Sequence, residues 1–510
     1  MPGKIDLAAE NKPFDATATK YQQMLGQLQG NIIKSHGRDF ASHLFFKLDH
    51  DPFRVRRMIS RLLEEGFITS AAEQAAQTQR RHDAQKTKKP HTEEVFGTLL
   101  FSARGLARAG LSVPAGFGDS TAVPAPAGPP PVPVGFSEPM RHAAVHLGDN
   151  PSEWEPAFRK GDLDGLLIIA YGTHHLDDPY EEEQVVHAYR RHVHRAWEIL
   201  STATSSIHEE RGVTQVVGGK VREHFGYADG VSQPLFTTQE LPKPEDRQQW
   251  DPSNGLVNLL VDDPFTSAPD AFASFYVFRK LEQNVAAFNQ AVEDKAKELD
   301  NGIGVDLVGA MAVGRFKDGA PVLLHDSQPQ PVQPYVPEND FTYADDPGVT
   351  DGGAQGRTAG ATRCPFHAHI RKTNPRGDVA RAFGPAADAG ERAVRIARRG
   401  ITYGHREADF SDAPETGVGL LFQCYQANLG AQFAFMQQNW VTDEVFVNAS
   451  AGQDAVIGTG ARRTAQTWPT VWDDKSTLTP TADLGEFVTN KGGEFFLAPS
   501  IATLRKLGGA

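Results

Sequence analysis

The chain has 510 residues, 39% of them apolar and 9% aromatic, which suffices for a packed globular interior and is too long for one ordinary core. Lys and Arg number 51 against 64 Asp and Glu, a formal charge of −13, so non-specific attraction to nucleic-acid phosphates is disfavoured. Two cysteines, Cys364 and Cys424, exclude a disulfide framework, and their spacing does not match a four-ligand structural zinc site.

The first twenty residues, MPGKIDLAAENKPFDATATK, contain no apolar run of the kind that opens a secretory signal. The expected location is the cytoplasm. Residues 21–34, YQQMLGQLQGNIIK, read as a helix or extended lead-in closing on a glycine turn. Ala41 to Leu48 alternates as a strand, and Asp51 to Glu65 has the apolar spacing of an amphipathic helix. Residues 121–133, TAVPAPAGPPPVP, are compatible with neither helix nor ladder and predict an extended surface loop. A second strand is expected at 165–172; its apolar core is strand-sized and far too short to cross a membrane. A long helix is expected at 181–203, followed by a turn-rich segment at 222–235.

Ser274 to Phe278 predicts a strand that feeds a helix over 279–300. Residues 325–363 are rich in Pro, Gly and Asp and predict a long irregular excursion. Gly419 to Tyr425 is strand-like and leads into an expected helix at 429–440. Strand–helix–strand alternation thus appears twice, before and after about residue 240. It predicts an α+β architecture of two similar halves, 1–240 and 241–510, each a sheet backed by helices.

Chemistry concentrates in three stretches. The first is Cys364-Pro-Phe-His-Ala-His-Ile-Arg-Lys-Thr-Asn-Pro-Arg376. Thiolate and imidazole are zinc ligands, but no second pair lies nearby; a haem iron, by contrast, commonly takes a single imidazole. Parity does not choose between His367 and His369, which share a face on a strand and oppose each other on a helix. Arg371, Lys372 and Arg376 follow, a cationic cluster suited to carboxylates such as a pair of propionates.

The second stretch is Glu223-His-Phe-Gly-Tyr-Ala-Asp-Gly-Val-Ser-Gln-Pro234, where Gly226 and Gly230 bracket Asp229 and allow a tight turn carrying a carboxylate. Asp-Gly alone is an ordinary turn dipeptide. The third is Ala393-Val-Arg-Ile-Ala-Arg-Arg-Gly-Ile-Thr-Tyr-Gly404. Two adjacent arginines in an apolar stretch do not both belong in a core, so one is expected to face a polar cavity or a bound anion.

Taken in order, FGYADGVSQP, CPFHAHIRKTNPR, IARRGITYG and GLLFQCYQANLGAQF resemble the dye-decolourising peroxidase family, and the lead-in LQGNIIKSHGR looks like that family's N-terminal segment. The likeness runs from about residue 26 to about 460. It implies two ferredoxin-like halves and one b-type haem held mainly by the C-terminal half. By the resemblance, His369 is the proximal iron ligand, Asp454 the acid beside it, and Arg376 a partner of a haem propionate. His367 stands where many relatives carry a small residue. Asp229 and Arg398 match the distal pair, Gly230 the distal turn, and Leu420 and Phe422 the apolar distal wall. Tyr403 is the family's candidate for carrying electrons, and Trp440, Trp468 and Trp472 lie in the same half.

The resemblance implies reduction of hydrogen peroxide to water through a ferryl intermediate, at the expense of dyes, phenols or other one-electron donors. Mn(II) is a further candidate donor, with acidic runs such as 181–183 as a place for it. A haem-binding or haem-iron-handling protein with little turnover is the alternative; zinc at Cys364, His367 and His369 is another.

Overall fold

The structure is a computed structural model that describes residues 4–87, 95–119, 134–172, 179–229, 233–241, 251–300, 302–329, 340–343, 346, 361–460 and 462–509. The expected loop at 121–133, most of the excursion at 325–363 and Gly230 lie outside the described residues.

Eight strands form the main path of a ten-stranded sheet: β1 Phe40–Leu48, β2 Phe96–Phe101, β3 Gly165–Tyr171, β4 Thr204–Val213, β5 Phe272–Gln283, β6 Ile401–Tyr403, β7 Gly419–Gln426 and β8 Val488–Ala498. Across the sheet they run β6-β7-β5-β8-β2-β3-β1-β4, all pairings antiparallel. Each half has the same internal order. In both, the first strand lies between the fourth and the third, with the second at the end, the arrangement of a ferredoxin-like unit. The two units meet where Leu497 of β8 pairs with Phe101 of β2.

Helices cover the faces, so β2 and β3 are buried along their whole length and read as apolar runs rather than alternating ones. The helix Pro52–Glu64 starts where Asp51 accepts a hydrogen bond from the Phe53 N–H at 3.0 Å, with Pro52 in the first turn. Its buried residues Val55, Met58, Ile59 and Leu62 recur at helical spacing. The C-terminal helix Ile501–Gly508 packs against it and so ties the end of the second half to the first. A ring cluster of Phe45, Phe158, Phe278 and Phe496 fills the core beside the seam, with Phe45 and Phe278 centroids 4.6 Å apart.

Two expectations need correction. Residues 279–283 are not helical: β5 continues to Gln283, and the helix Val285–Leu299 begins only after Asn284, whose side chain accepts from Ala287 N–H at 2.9 Å. Pairing with β7 on one side and β8 on the other holds this stretch extended. The segment after β7 does coil, but over Gly430–Ala434 and Met436–Val441 it is the wider π form rather than an α-helix. Among the described residues no helix is long and apolar enough to cross a membrane.

Candidate active site

A buried carboxylate organises the approach to His369. Asp346 accepts from Thr362 N–H at 3.0 Å, the Thr362 hydroxyl at 2.7 Å and Arg363 N–H at 3.1 Å, fixing the turn that leads to Cys364. Cys364 is fully buried, and burial pushes its thiol up to about 12, so it is packing rather than a ligand. The short helix His369–Thr373 then opens with His369 itself. Its close neighbour is the end of the helix Val305–Val313, where Gly314 adopts φ +100° and a Cβ would stand 2.2 Å from Ile370 Cγ1.

Nδ1 of His369 lies 2.9 Å from Oδ2 of Asp454, a residue sealed from water. The other oxygen of Asp454 accepts from Val456 N–H and Ile457 N–H at 2.8 and 2.9 Å. Burial by itself would push this carboxyl up, but the imidazole and the backbone donors outweigh it and hold the group below its ordinary value. An ionised carboxylate only accepts. It therefore keeps a His369 proton on Nδ1, so that Nε2 is the ring nitrogen left to meet an electrophile.

The three cations after His369 do not act together. Arg371 is buried, with Nε and one terminal nitrogen donating to Asp378 at 2.7 and 3.0 Å and the other donating to the Cys364 carbonyl. Lys372 is buried too; its ammonium donates to the Asp443 and Phe446 carbonyls, each at 2.7 Å, and burial brings it down to about 7. Both are spent on internal structure, which corrects the expectation of a three-cation cluster for anionic groups. Arg376, at φ +48°, stacks 4.4 Å over Phe341 and donates to the Ile370 and Asn374 carbonyls at 3.1 Å.

Asp229 comes from the connection between β4 and β5. The loop before it is pinned by Glu223, which accepts from Phe225 N–H at 2.8 Å, Tyr227 N–H at 2.9 Å and the Gln283 amide at 2.6 Å. A terminal nitrogen of Arg398 donates to both oxygens of Asp229, at 2.9 and 3.1 Å. Arg398 lies on a two-residue strand, Ala397–Arg398, paired with β7 opposite Cys424. Its neighbour Arg399 turns the other way and donates to the carbonyls of Asn31, Ile32 and Ile33. The two arginines thus divide as their adjacency suggested.

Leu420 and Phe422 share one face of β7 and are only partly buried, while the alternate residues Leu421 and Gln423 are buried. Tyr403 on β6 is buried, and its hydroxyl has no partner among the described residues. The Lys280 ammonium lies 5.0 Å over its ring and is held at 2.9 Å by both Glu155 and Glu210.

Reasoning from sequence missed Glu223 and Arg315. Arg315 is buried and stacks 4.2 Å over Phe341; burial lowers it to about 10, with Asp229 opposing that shift and the charges of Arg376 and Arg398 adding to it. It therefore belongs to the same electrostatic neighbourhood. An arginine directly after the apolar helix Val305–Val313 was the available signal.

No family model matches the chain. A multifunctional dye peroxidase, DyP2 of Amycolatopsis sp., is 35% identical over 504 residues, spanning 95% of this chain and 96% of that protein. The chain belongs to the dye-decolourising peroxidase family. The dye-decolorizing peroxidase of Mycena epipterygia is 32% identical over 401 residues, 72% of this chain and 70% of that one. Among solved structures, a DyP-type peroxidase from Anabaena sp. superposes with a TM-score of 0.80 at 33% identity, covering 97% of each chain. The DyP2 structure does so with 0.78 at 32% identity, covering 98% and 100%.

Members of the dye-decolourising peroxidase family are haem enzymes, and this chain's own atoms fit the cofactor. Nε2 of His369, the ring nitrogen not taken by Asp454, suits a haem iron that takes one imidazole. The partly open apolar face of Leu420 and Phe422 suits a flat hydrophobic ring, and the buried cations Arg315 and Arg376 suit its carboxylates.

Proposed function

We propose that this dye-decolourising peroxidase reduces hydrogen peroxide to water and oxidises dyes, phenols and similar one-electron donors with one b-type haem per chain. The b type is supported by the sequence, whose two cysteines stand 60 residues apart and form no Cys-x2-Cys-His attachment motif. Bound haem supplies a redox-active iron that accepts oxidising equivalents from peroxide. His369 would hold that iron through Nε2, while Asp454 raises the basicity of the ring. Asp229 takes a proton from one peroxide oxygen and returns it to the other. Arg398 remains cationic and stabilises negative charge on the departing oxygen. Leu420 and Phe422 exclude competing water, and Arg376 with Arg315 anchors the propionates.

The ion pair between Asp229 and Arg398 carries this reading. A haem carrier needs the ligand but has no use for a separate carboxylate and guanidinium joined at 2.9 Å. The test is an absorption spectrum of the haem-loaded protein before and after one equivalent of peroxide, for wild type, Asp229→Asn and Arg398→Leu. All three are expected to keep the Soret band, with the peroxide response slowed about a hundredfold in the variants. Variants that respond as fast as wild type would refute the assignment.

Mn(II) is a further candidate donor, and the side chains of the acidic run 181–183 expected to hold it lie outside the described residues. Among the described residues one group has metal-ligand spacing, Glu155, His208 and Glu210, with ligand atoms within 4.8 Å of one another. The Lys280 ammonium already occupies the cationic position there. The cytoplasmic expectation is kept as a proposal, supported by two thiols that remain unbridged.

A further inference from the structure

The stretch that carries Asp229 closes on a side chain that the peroxide chemistry does not use, Gln233. Its Oε1 accepts from the backbone N–H of Arg398 at 2.8 Å. The guanidinium of the same arginine donates to both oxygens of Asp229, at 2.9 and 3.1 Å. One loop therefore holds one arginine at two points: Asp229 takes the side chain and Gln233 takes the main chain.

The ion pair does not fix Arg398 by itself. The two side chains are 34% and 51% exposed, so water screens their attraction, and a long arginine side chain gives up rotamer freedom to make the pair. The placing of the guanidinium then depends on the backbone from which it hangs. That backbone belongs to the two-residue strand Ala397–Arg398 at the margin of the sheet, and its pairing partner among the described residues is β7.

Arg399 N–H points into the sheet and donates to the Gln423 carbonyl of β7 at 2.7 Å. Successive N–H groups of an extended chain face opposite sides, so the Arg398 N–H faces away from β7, where no strand lies among the described residues. An N–H left there without an acceptor would cost stability, and Gln233 supplies the oxygen that a neighbouring strand would have supplied. The Arg398 carbonyl is met in turn by the Arg399 guanidinium, which donates to it at 2.8 Å.

Gln233 has a firm base from which to do this. Pro234 after it is buried. Leu235 N–H donates to the Pro252 carbonyl at 2.8 Å, and the Leu235 carbonyl accepts from Asn254 N–H at 2.9 Å. The Phe236 carbonyl accepts from Phe14 N–H, and Thr238 N–H donates to the Phe14 carbonyl, both at 2.9 Å. The chain is thus tied on two flanks directly beyond Gln233.

We propose that Gln233 is a positioning residue of the peroxide site, acting through Arg398. It fixes the arginine's main chain, so that the guanidinium meets charge on the departing oxygen while Asp229, from the same loop, handles the proton. The catalytic consequence rests on the peroxidase reading, whereas the hold on Arg398 is independent of it.

The test uses the haem-loaded full chain with Gln233→Met, Gln233→Glu, Arg398→Leu and the double variant of Gln233→Met with Arg398→Leu. Methionine keeps the length of the side chain and loses the acceptor oxygen; glutamate keeps the oxygen. Hydrogen exchange, read by peptide mass spectrometry over residues 396–403, should be about tenfold faster in Gln233→Met. The peroxide-induced spectral change should slow about tenfold in that variant, while a phenol reduces the peroxide-oxidised protein at the wild-type rate. General loosening of the fold would not split the two steps in this way. Gln233→Glu should recover most of both losses. Added to Arg398→Leu, Gln233→Met should slow the peroxide response no further, because the arginine through which it acts is already gone. Wild-type exchange or a wild-type peroxide response in Gln233→Met overturns the positioning role. So does a failure of glutamate to recover either, or a further tenfold loss in the double variant. A wild-type protein with no spectral response to peroxide, but with exchange still quickened by Gln233→Met, overturns the peroxidase reading and leaves the hold on Arg398 standing.

Discussion

Asp454 and Glu494 are both sealed from water, yet their partners drive them in opposite directions. Asp454 has an imidazole and two backbone donors and is held below its ordinary value. Among the described residues Glu494, on β8, accepts only from Met140 N–H at 2.8 Å and its neighbour Phe495 N–H at 3.0 Å, and burial pushes it up from 4.5 to about 7. The folded state therefore binds this proton more tightly than the unfolded chain. Stability from this group is greatest below its unfolded value, falls as pH rises from about 4.5 toward 7, and stays at its minimum above that. A rise of that size corresponds to about 3 kcal/mol. Glu494→Gln keeps an acceptor oxygen and removes the titration. Urea unfolding should show the variant gaining on wild type at pH 8 and matching it near pH 5, and an equal difference at both values would refute this account. Glu494 was illegible in the sequence, as was Glu223, because a glutamate in a string does not disclose that its partners are backbone donors. The contacts of His369 with Asp454 and of Asp229 with Arg398 could be anticipated from the motifs around them, where several unusual residues recur at fixed spacing.

At the level of elements, the boundary between β5 and the helix after it shows where local reading fails. Arg279, Lys280, Leu281, Glu282 and Gln283 are good helix formers, and the sequence at that point favours a helix. Pairing of Leu281 with Leu420 and Asn490, and of Glu282 with Gly419 and Thr489, keeps them in the sheet. That extension places Lys280 over Tyr403 and lets Gln283 reach Glu223. The helix starts where a side chain can replace the ladder, at Asn284. Asn284→Ala removes the 2.9 Å bond to Ala287 N–H and should cost about 1 kcal/mol, with Asn284→Asp restoring most of it. Denaturant midpoints of the three proteins decide this; an alanine variant as stable as wild type would show that the strand pairing alone sets the boundary.

Across the whole molecule, the two-fold alternation of strands and helices was readable, while the single sheet that joins the halves was not. β2, β4 and β8 carry the pairings that complete each unit and connect one to the other, yet β2 is a uniformly apolar run and β4, TSSIHEERGV, is mostly polar, so neither shows a clean strand alternation. A further link between the halves is Arg399. From beside β6 it donates to three successive carbonyls of the N-terminal lead-in, Asn31 at 2.6 Å, Ile32 at 2.8 Å and Ile33 at 3.1 Å. The Asn-Ile-Ile segment and the Arg-Arg pair are thus two sides of one contact, 368 positions apart for the first bond. Arg398 leaves the same backbone toward Asp229, so the clamp and the Asp229–Arg398 ion pair are mechanically joined. Arg399→Leu leaves those carbonyls without their donor, at about 1–3 kcal/mol for each that water does not reach. The variant should unfold at clearly lower denaturant and, while folded, keep its Soret band but respond more slowly to peroxide as Arg398 loses its fixed geometry. Arg399→Lys should recover only part of both losses, because one ammonium does not span three carbonyls as a planar guanidinium does. Full recovery by lysine would show that charge alone, rather than the fork of donors, holds the lead-in against the active site.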